Sequence, residues 1–288
     1  MRLIVVCNAR SGSRAWPEEA VQARLEAVGH DPVMVPSTAD WRMALDEPAD
    51  ALVAAGGDGT VRELAQALIG SEKRLAIIPL GTANNIARAF GYAPGSDPFL
   101  RVEHWGATER TLRIERVRYD DGVHPFLEVA GVGPFARLLR GDAESERRPL
   151  PLASLMAARH RLVHGVLQGP VLDAQIALDG RTLEGRFVMV ACLRTPSFGP
   201  ALCLAPDQLA DGDEMTIVGV RNDQREPFAW WLATGEGDVS SFRLGAGRIV
   251  EVTSDGPFHA DDTVVETPKS ERRTVRVGCD VESVRLLV

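Results

Sequence analysis

Three glycines surround an acidic residue in the segment Gly56-Gly57-Asp58-Gly59-Thr60, which follows an apolar run and precedes a helical pattern. Glycine has no Cβ, so it lets backbone N–H groups come close to a phosphate. The N-terminus of the following helix adds the positive end of the helix dipole. The carboxylate of Asp58 suits Mg²⁺, directly or through water. The segment therefore indicates a site for a phosphate group and its metal ion.

A tight strand-to-helix turn is the structural alternative for the same segment. Thr60 and Glu63 have the T-x-x-E spacing of a capping box, and the helical pattern is predicted over Val61–Ile69. A plain turn requires only one glycine, so the extra glycines and Asp58 favour the binding site. Glu63 stays open to both interpretations, as a capping residue and as a nucleotide-binding residue.

Two more polar loops follow neighbouring apolar runs. Asn8 to Gly12 comes after Leu3–Cys7, and Pro79 to Asn85 comes after Leu75–Ile78, with Thr82 predicted as the N-cap of the next helix. The carboxyl ends of parallel strands lie at one edge of a sheet, where ligands bind in α/β folds. We therefore expect the three loops to form one concave polar site.

Apolar runs and helical patterns alternate through the N-terminal third of the chain, which predicts an α/β domain with a parallel sheet. The glycine-rich loops at its strand ends identify it as the nucleotide-binding domain. The predicted strands are Leu3–Cys7, Pro32–Val35, Ala51–Ala55 and Leu75–Ile78. The predicted helices are Glu18–Val28, Trp41–Leu45, Val61–Ile69 and Asn84–Phe90.

The rest of the chain is rich in β-type runs separated by turn signals such as Asp179-Gly180-Arg181, which predicts a C-terminal antiparallel β-sandwich domain. The predicted strands are Leu112–Tyr119, Phe126–Val129, Val171–Leu178, Phe187–Ala191, Met215–Val220, Arg248–Val252 and Thr274–Val277. We place the domains at residues 1–108 and 109–288, with the extreme C-terminus free to pack back on the first domain.

Composition excludes several classes of function. The chain has 288 residues and a formal net charge of −8, which argues against nucleic-acid binding because that requires a basic surface. Only Lys73 and Lys269 are lysines, and neither lies in a glycine-rich motif. A P-loop lysine is therefore excluded, and backbone N–H groups, arginine or a metal must hold any phosphates.

The cysteines and the apolar runs bear on the compartment. The four cysteines show no C-x-x-C spacing and lie in apolar stretches, which predicts buried free thiols and a reducing cytoplasm. The N-terminal apolar run Leu3–Cys7 is too short for a signal peptide, and no run reaches the length of a membrane span. A cytoplasmic, soluble protein is the expectation.

The segment GGDGT at 56–60 with Glu63, followed by PLGTANNIARAFG at 79–91, resembles the diacylglycerol kinase catalytic-domain family, which includes bacterial lipid kinases and sphingosine kinases. The segment NARSG at 8–12 is similar to that family's N-P-x-S-G. The likeness continues more weakly through Ala205-Pro206, Asp211-Gly212 and the segment from Asp261 to Pro268.

This resemblance implies an ATP-dependent phosphotransferase of phospholipid metabolism, with Mg²⁺, with ATP in the cleft between the domains, and with a lipid or lipid-like alcohol as acceptor. It implies Asp261 as the general base and Asp58 as the second catalytic residue, with Asp58 and Asp211 as metal ligands. The nucleotide-binding residues it implies are Asn8, Gly56, Gly57, Asp58, Gly59, Thr60, Glu63, Gly81, Thr82 and Asn84.

The sequence departs from the family pattern at acidic positions, notably at Asn85, Met215 and Thr263, with Ala9 and Asp262 also altered. A non-catalytic nucleotide- or lipid-binding homologue is therefore the main alternative. A relative of NAD kinase or phosphofructokinase is the third, and the P-L-G-T-A-N-N loop argues against it.

An apolar stripe at helical spacing runs along Leu152–Leu167, accompanied by Arg147, Arg148, Arg159 and Arg161. It predicts either a helix packed on the β domain or a peripheral membrane helix at the inner membrane face. Trp230 and Trp231 are predicted as packing anchors. The sequence leaves the oligomeric state open, with a homodimer among the alternatives.

Overall fold

The computed structural model describes residues 1–12, 16–120, 122–142, 151–265 and 272–288. The chain divides into two compact units, the first made of Met1–Ile114 with Glu282–Val288 and the second of Glu115–Val281. The sequence places the corresponding boundary at residue 108. Arg147 and Arg148 of the predicted amphipathic stripe lie outside the described residues.

The first unit is an α/β layer built on a parallel sheet. Its strands are β1 (Arg2–Cys7), β2 (Asp31–Pro36), β3 (Ala51–Gly56) and β4 (Arg74–Pro79), and its α-helices are α1 (Glu18–Glu26), α2 (Asp58–Ala67) and α3 (Asn85–Ala89). Short 3₁₀ helices span Trp41–Asp46 and Val102–His104. The sheet order is β2-β1-β3-β4, and all pairs are parallel. The predicted parallel sheet is therefore confirmed.

The sheet of the first unit is buried because its strands are almost wholly apolar. Every residue of β3 is buried, and β1 is buried from Leu3 to Cys7. Helix α1 covers this core with Val21 and Leu25. At the far edge, Leu286 of the C-terminal segment pairs in parallel with Leu75 of β4. The arrangement leaves the carboxyl ends of β1, β3 and β4 side by side.

The second unit is an antiparallel, strand-rich domain with three α-helices among its described residues, which confirms the predicted change of fold class. Its α-helices are α4 (Pro134–Asp142), α5 (Pro151–Gln168) and α6 (Arg225–Thr234), and 3₁₀ helices span Asn222–Gln224 and Val239–Phe242. Its strands, including the two that extend across the unit boundary, are β5 (Glu109–Tyr119), β6 (Gly122–Phe126), β7 (Val129–Val132), β8 (Leu172–Leu178), β9 (Arg181–Leu193), β10 (Ser197–Phe198), β11 (Leu202–Cys203), β12 (Met215–Arg221), β13 (Arg243–Gly247), β14 (Val250–Ser254), β15 (Phe258–Ala260), β16 (Thr263–Val265) and β17 (Arg273–Leu287).

The long strand β9 organises this domain, because it pairs antiparallel with β7, β8 and β12. Its alternate residues enter two apolar cores. Val190 and Cys192 join one cluster, whereas Ala191 and Leu193 join another that includes side chains of α5 and α6. Both faces of β9 are thus covered, which explains its continuous apolar run.

Several sequence predictions for the second unit require correction. The strand predicted over Phe126–Val129 does not exist as one element, because β6 ends at Phe126 and β7 begins at Val129. The residues between them supply backbone N–H groups to Asp261 instead of to a ladder. Trp230 is not a packing anchor, since it is 59% exposed, whereas Trp231 is buried as predicted.

Helix α5 packs on the second unit, as the structural alternative for the amphipathic stripe predicts. Leu162 and Val166 are buried in the cluster that also holds Phe228 and Leu232 of α6. Met156 is 68% exposed on the same helix. Within the described part of the chain, no helix is both long enough and apolar enough to cross a membrane.

The prediction of buried thiols is confirmed for Cys7 and Cys192 but not for Cys203. Cys7 and Cys192 are buried free cysteines, and Cys203 is half-buried. Burial raises the pKa of Cys7 to about 11, with the charge of Glu18 adding to the shift. Burial also raises the pKa of Cys192 to about 12. Both thiols therefore stay protonated and unreactive at neutral pH.

Candidate functional site

Three glycine-containing loops meet at the carboxyl edge of the sheet in the first unit. A Cβ on Gly57 would lie 3.2 Å from Cα of Gly81, and a Cβ on Gly81 would overlap Cα of Gly57. Gly12 has φ +76°, and a Cβ there would overlap the carbonyl oxygen of Leu80. The loops after β1, β3 and β4 are therefore in backbone contact, as predicted, and this contact depends on glycine.

Backbone hydrogen bonds fix the three loops to one another. The N–H of Asn8 donates to the carbonyl of Ala55 at 2.9 Å. The N–H groups of Leu80 and Gly81 both donate to the carbonyl of Gly56, at 2.9 and 3.2 Å. The edge of the sheet is thus a continuous polar surface whose shape is set by main-chain atoms.

Helix α2 begins at Asp58, three residues after the last alanine of the apolar run, and its N-cap is Gly57 without a side-chain hydrogen bond. The predicted capping box of Thr60 and Glu63 is therefore wrong, because both residues lie inside the helix. Thr60 instead packs against Gly56 and is buried, and Glu63 is exposed. The N-cap Gly57 has no side chain that could occupy the first N–H groups of α2, and such N–H groups suit an anion.

Asp58 connects the starts of two helices. Its Oδ1 accepts a hydrogen bond from the N–H of Ile86 at 2.9 Å, in the first turn of α3. Burial raises the pKa of Asp58 above its usual range, although the N–H groups of Ile86 and Asn85 and the charge of Arg62 act in the opposite direction. The Asp58 carboxylate therefore positions the loop after β4 against the loop after β3.

The third loop is closed by Asn84 rather than by Thr82. Asn84 is the N-cap of α3 with φ 49°, in the left-handed region that asparagine tolerates. Its Nδ2 donates to the carbonyls of Pro79 and Gly81, at 3.2 and 2.8 Å. Thr82 is exposed, so its predicted role as N-cap is wrong. The side chain of Asn85 is buried.

In the second unit, Asp261 is only 4% exposed and has φ 48°. Its Oδ2 accepts from the N–H of Leu127 at 2.8 Å, and its Oδ1 accepts from the N–H groups of Glu128 and Val129 at 2.9 and 3.1 Å. A carboxylate offers about four acceptor positions, so three backbone donors occupy most of them. This carboxylate anchors the segment between β6 and β7, a role that no sequence signal indicated.

His259 lies beside Asp261 and is buried. Its Nδ1 is 3.0 Å from the carbonyl oxygen of Asp261, and its ring is 4.9 Å from that of Phe135. Burial lowers the pKa of His259 to about 4, against the raising effect of the Asp261 backbone. The imidazole is therefore neutral at physiological pH.

The other acidic candidates lie on the turn before β12. Asp211 is half-buried, whereas Asp213 is exposed and pairs with Arg248. Met215, where the family pattern carries an acid, is fully buried in the core. Among the residues that the structure describes, no three His, Cys, Asp or Glu side chains converge as metal ligands do.

Several diacylglycerol kinases are similar to this chain in sequence or in fold. Residues 2–114 match the family model described as the diacylglycerol kinase catalytic domain. A diacylglycerol kinase of Bacillus subtilis (strain 168) is 28% identical over 226 residues, covering 73% of this chain and 71% of that protein. A diacylglycerol kinase of Mycobacterium tuberculosis (strain H37Rv) is 33% identical over 190 residues, covering 63% of this chain and 58% of that protein.

Residues 2–114 are therefore similar to the catalytic domain of diacylglycerol kinases. The fold is also similar over almost the whole chain to the crystal structure of a diacylglycerol kinase from Bacillus anthracis. That structure has a TM-score of 0.68 and 16% identity, and the match covers 99% of this chain and 96% of that one. The predicted resemblance and the predicted fold class are confirmed.

Proposed function

We propose that this protein is an ATP-dependent lipid kinase that transfers a phosphoryl group to the hydroxyl of a lipid or lipid-like alcohol. The observation that carries the proposal is the backbone contact of Gly57 with Gly81, beside the start of α2, whose N-cap is the glycine Gly57. Such a surface presents N–H groups to phosphate oxygens without a Cβ in the way. The names of the relatives, all diacylglycerol kinases, support a lipid acceptor.

In this proposal the first unit holds the nucleotide. Main-chain N–H groups of Gly57 and Gly59 contact the phosphates, and Gly81, which has no Cβ, leaves room for them. Asn8 and Thr82 lie on the loops beside them. The remaining predicted contacts, Gly56, Thr60, Glu63 and Asn84, shape these loops or lie next to them. Phosphoryl transfer depends mainly on such positioning and on charge neutralisation.

Mg²⁺ fits this site as a companion of the nucleotide. Mg²⁺ is commonly held by one or two carboxylates together with substrate phosphates. Asp58 supplies one carboxylate, of which Oδ1 already accepts the N–H of Ile86. We propose Asp58 as the residue that holds the metal, directly or through water. The metal would neutralise charge on the phosphates.

Asp261 is our proposed general base on the acceptor hydroxyl. Its three backbone hydrogen bonds hold the carboxylate in one orientation, as a base requires. The same bonds make it an anchor of the segment that begins β7. The two roles are compatible, and they predict different effects of substitution.

A phosphorylation assay with Mg-ATP and a panel of lipid alcohols in mixed micelles tests the proposal. We expect transfer to at least one lipid, and we expect Asp58→Ala to reduce it by about 100-fold or more. Asp97→Ala is the matched control, because Asp97 is an exposed carboxylate of the same unit, paired with Arg24. Equal rates for the wild type and Asp58→Ala would exclude the role given to Asp58.

A non-catalytic homologue is the second candidate, and one observation favours it. Thr263 is exposed at the start of β16, two residues from Asp261, where the family pattern carries glutamate. A threonine brings no negative charge to a metal or a base. Calorimetry showing Mg-ATP binding, without phosphorylation of any lipid tested, would support this candidate instead.

Peripheral membrane association belongs to the same proposal, because a lipid acceptor resides in a bilayer. Met156 on α5 offers an exposed apolar side chain, and Arg161 on that helix is also exposed. Cosedimentation with anionic vesicles measures this association. A cytoplasmic protein that phosphorylates lipid at the inner membrane face should sediment with the vesicles, and Met156→Ser should sediment less. Absence of sedimentation would remove the membrane contact from the proposal.

A further inference from the structure

A buried ion pair joins two strands of the second unit. Arg194 directly follows β9, and its side chain is 1% exposed, while that of Glu115 on β5 is 2% exposed. Nη1 of Arg194 donates to Oε1 of Glu115 at 3.0 Å. Buried charges are rare unless they are paired and hydrogen-bonded, so Arg194 and Glu115 each depend on the other in the folded state.

The other side of the guanidinium faces the turn that carries Asp211. Nη2 of Arg194 donates to the carbonyls of Leu209 and Glu214, at 2.8 and 2.9 Å. Nε2 of Gln208 donates to the same two carbonyls, at 2.9 and 2.8 Å. Arg194 and Gln208 therefore bridge the two ends of the turn from Leu209 to Glu214.

Further contacts place the guanidinium against the turn. A Cβ on Gly212 would lie only 3.8 Å from Nη2 of Arg194. Oγ1 of Thr216 donates to Oε1 of Gln208 at 2.8 Å, which orients the amide. The backbone N–H of Arg194 donates to the carbonyl of Glu128 at 2.8 Å. Because Glu128 also donates its N–H to Asp261, the turn and the Asp261 anchor share one network.

We propose that Arg194 is the built-in cation of the 209–214 turn, so that this turn takes no divalent metal. Arg194 then holds together the two ends of the turn that carries Asp211, and Glu115 neutralises its charge. The metal role predicted for Asp211 is the competing hypothesis. On our proposal, the 209–214 turn adds no metal site to the Mg²⁺ that accompanies ATP.

The carbonyl oxygens explain why a metal does not fit. A carbonyl oxygen has two lone pairs, and that of Leu209 already accepts from Arg194, from Gln208 and from the N–H of Gly212 at 3.1 Å. The carbonyl of Glu214 accepts from both side chains as well. Mg²⁺ requires six oxygens at about 2.1 Å, and it would be repelled by a guanidinium bonded to the same oxygens.

Thermal unfolding of the full chain without nucleotide tests the inference. We expect the wild-type Tm to be the same, within about 1 °C, in EDTA and in millimolar MgCl₂, because a ligand that does not bind the folded state does not shift Tm. Arg194→Met should lower Tm by roughly 10 °C, because it leaves Glu115 buried without its cation. The Tm of Arg194→Lys, which retains the charge, should lie between the Tm values of the wild type and of Arg194→Met.

Arg248→Met is the matched control, since Arg248 pairs with Asp213 on the same turn but its side chain is 69% exposed. We expect its Tm to change by about 2 °C or less. A wild-type Tm that rises with Mg²⁺, with the rise lost in Asp211→Asn, would overturn the inference. Equal Tm values for Arg194→Met and Arg248→Met would also overturn it.

If Arg194→Met does not fold, the Mg²⁺ titrations of the wild type and Asp211→Asn decide the question. These measurements use neither ATP nor lipid, so their outcome is independent of the proposed kinase activity. In the phosphorylation assay, the same inference predicts that the rate follows the concentration of Mg-ATP. Free Mg²⁺ beyond that amount should give no further activation.

Discussion

Asp261→Asn separates the anchoring role of Asp261 from a role in catalysis. Asparagine has nearly the shape of aspartate and also tolerates the left-handed conformation recorded at φ 48°, so backbone strain does not change. The substitution exchanges one carboxylate oxygen for an NH₂ group and removes the charge. It therefore weakens the hydrogen bonds to residues 127–129 and, in the proposed reaction, removes the base.

The structure sets the expected size of the effect. If the asparagine oxygen keeps the N–H groups of Glu128 and Val129, its NH₂ group faces the N–H of Leu127. Losing one bond to a charged group costs about 1.5–3 kcal/mol, and the two remaining bonds become neutral and weaker. We expect a total loss of roughly 3–5 kcal/mol in the free energy of unfolding.

Urea unfolding followed by tryptophan fluorescence measures this loss, and phosphorylation is assayed well below the midpoint. Asp262→Asn is the control, because Asp262 is the exposed neighbour, and we expect a change of about 0.5 kcal/mol or less. If Asp261→Asn is as stable as the wild type, the anchoring argument is refuted. Loss of turnover with unchanged stability would then assign Asp261 to the chemistry alone.

Gly81→Ala should lower ATP affinity by about 10-fold or more and also lower Tm, because the added Cβ overlaps Gly57. Gly59→Ala should leave Tm unchanged, because a Cβ there meets only the side chain of Arg62, at 3.8 Å. Equal Tm values for these two variants would contradict the packing argument. The folded-state pKa of His259, about 4, lies below the usual 6.5, so its contribution to stability is complete above pH 6.5 and is lost as the pH falls towards 4. Urea unfolding from pH 6.5 to pH 4 should show that the wild type loses up to about 3 kcal/mol in the free energy of unfolding, and that His259→Gln loses much less. The same dependence of this free energy on pH in both proteins would refute the role of His259. Thr263→Glu should raise lipid phosphorylation if the missing acid limits the rate, and a wild type and variant that are both inert on every lipid would favour the non-catalytic homologue.

Much of the first unit could be predicted because its signals are local. Short apolar runs separated by helical patterns specify a parallel sheet, and the glycines of 56–59 mark where a strand gives way to a helix. Helix starts were predicted less well. Thr60 and Thr82 have the right residue type for caps, but the backbone turns at Gly57 and Asn84, whose conformations were not visible in the pattern.

The sequence by itself determined which residues are available for the chemistry: a glycine-rich strand end, Asp58, Asp261 and no phosphate-binding lysine. The tertiary structure alone decided what these carboxylates touch. The partners of Asp58 and Asp261 are 28 and 132 or more residues away in the chain, and Glu115 and Arg194 are 79 apart. Such pairs carry no periodic signal, because they arise only when packed strands bring distant main-chain and side-chain groups within hydrogen-bond distance.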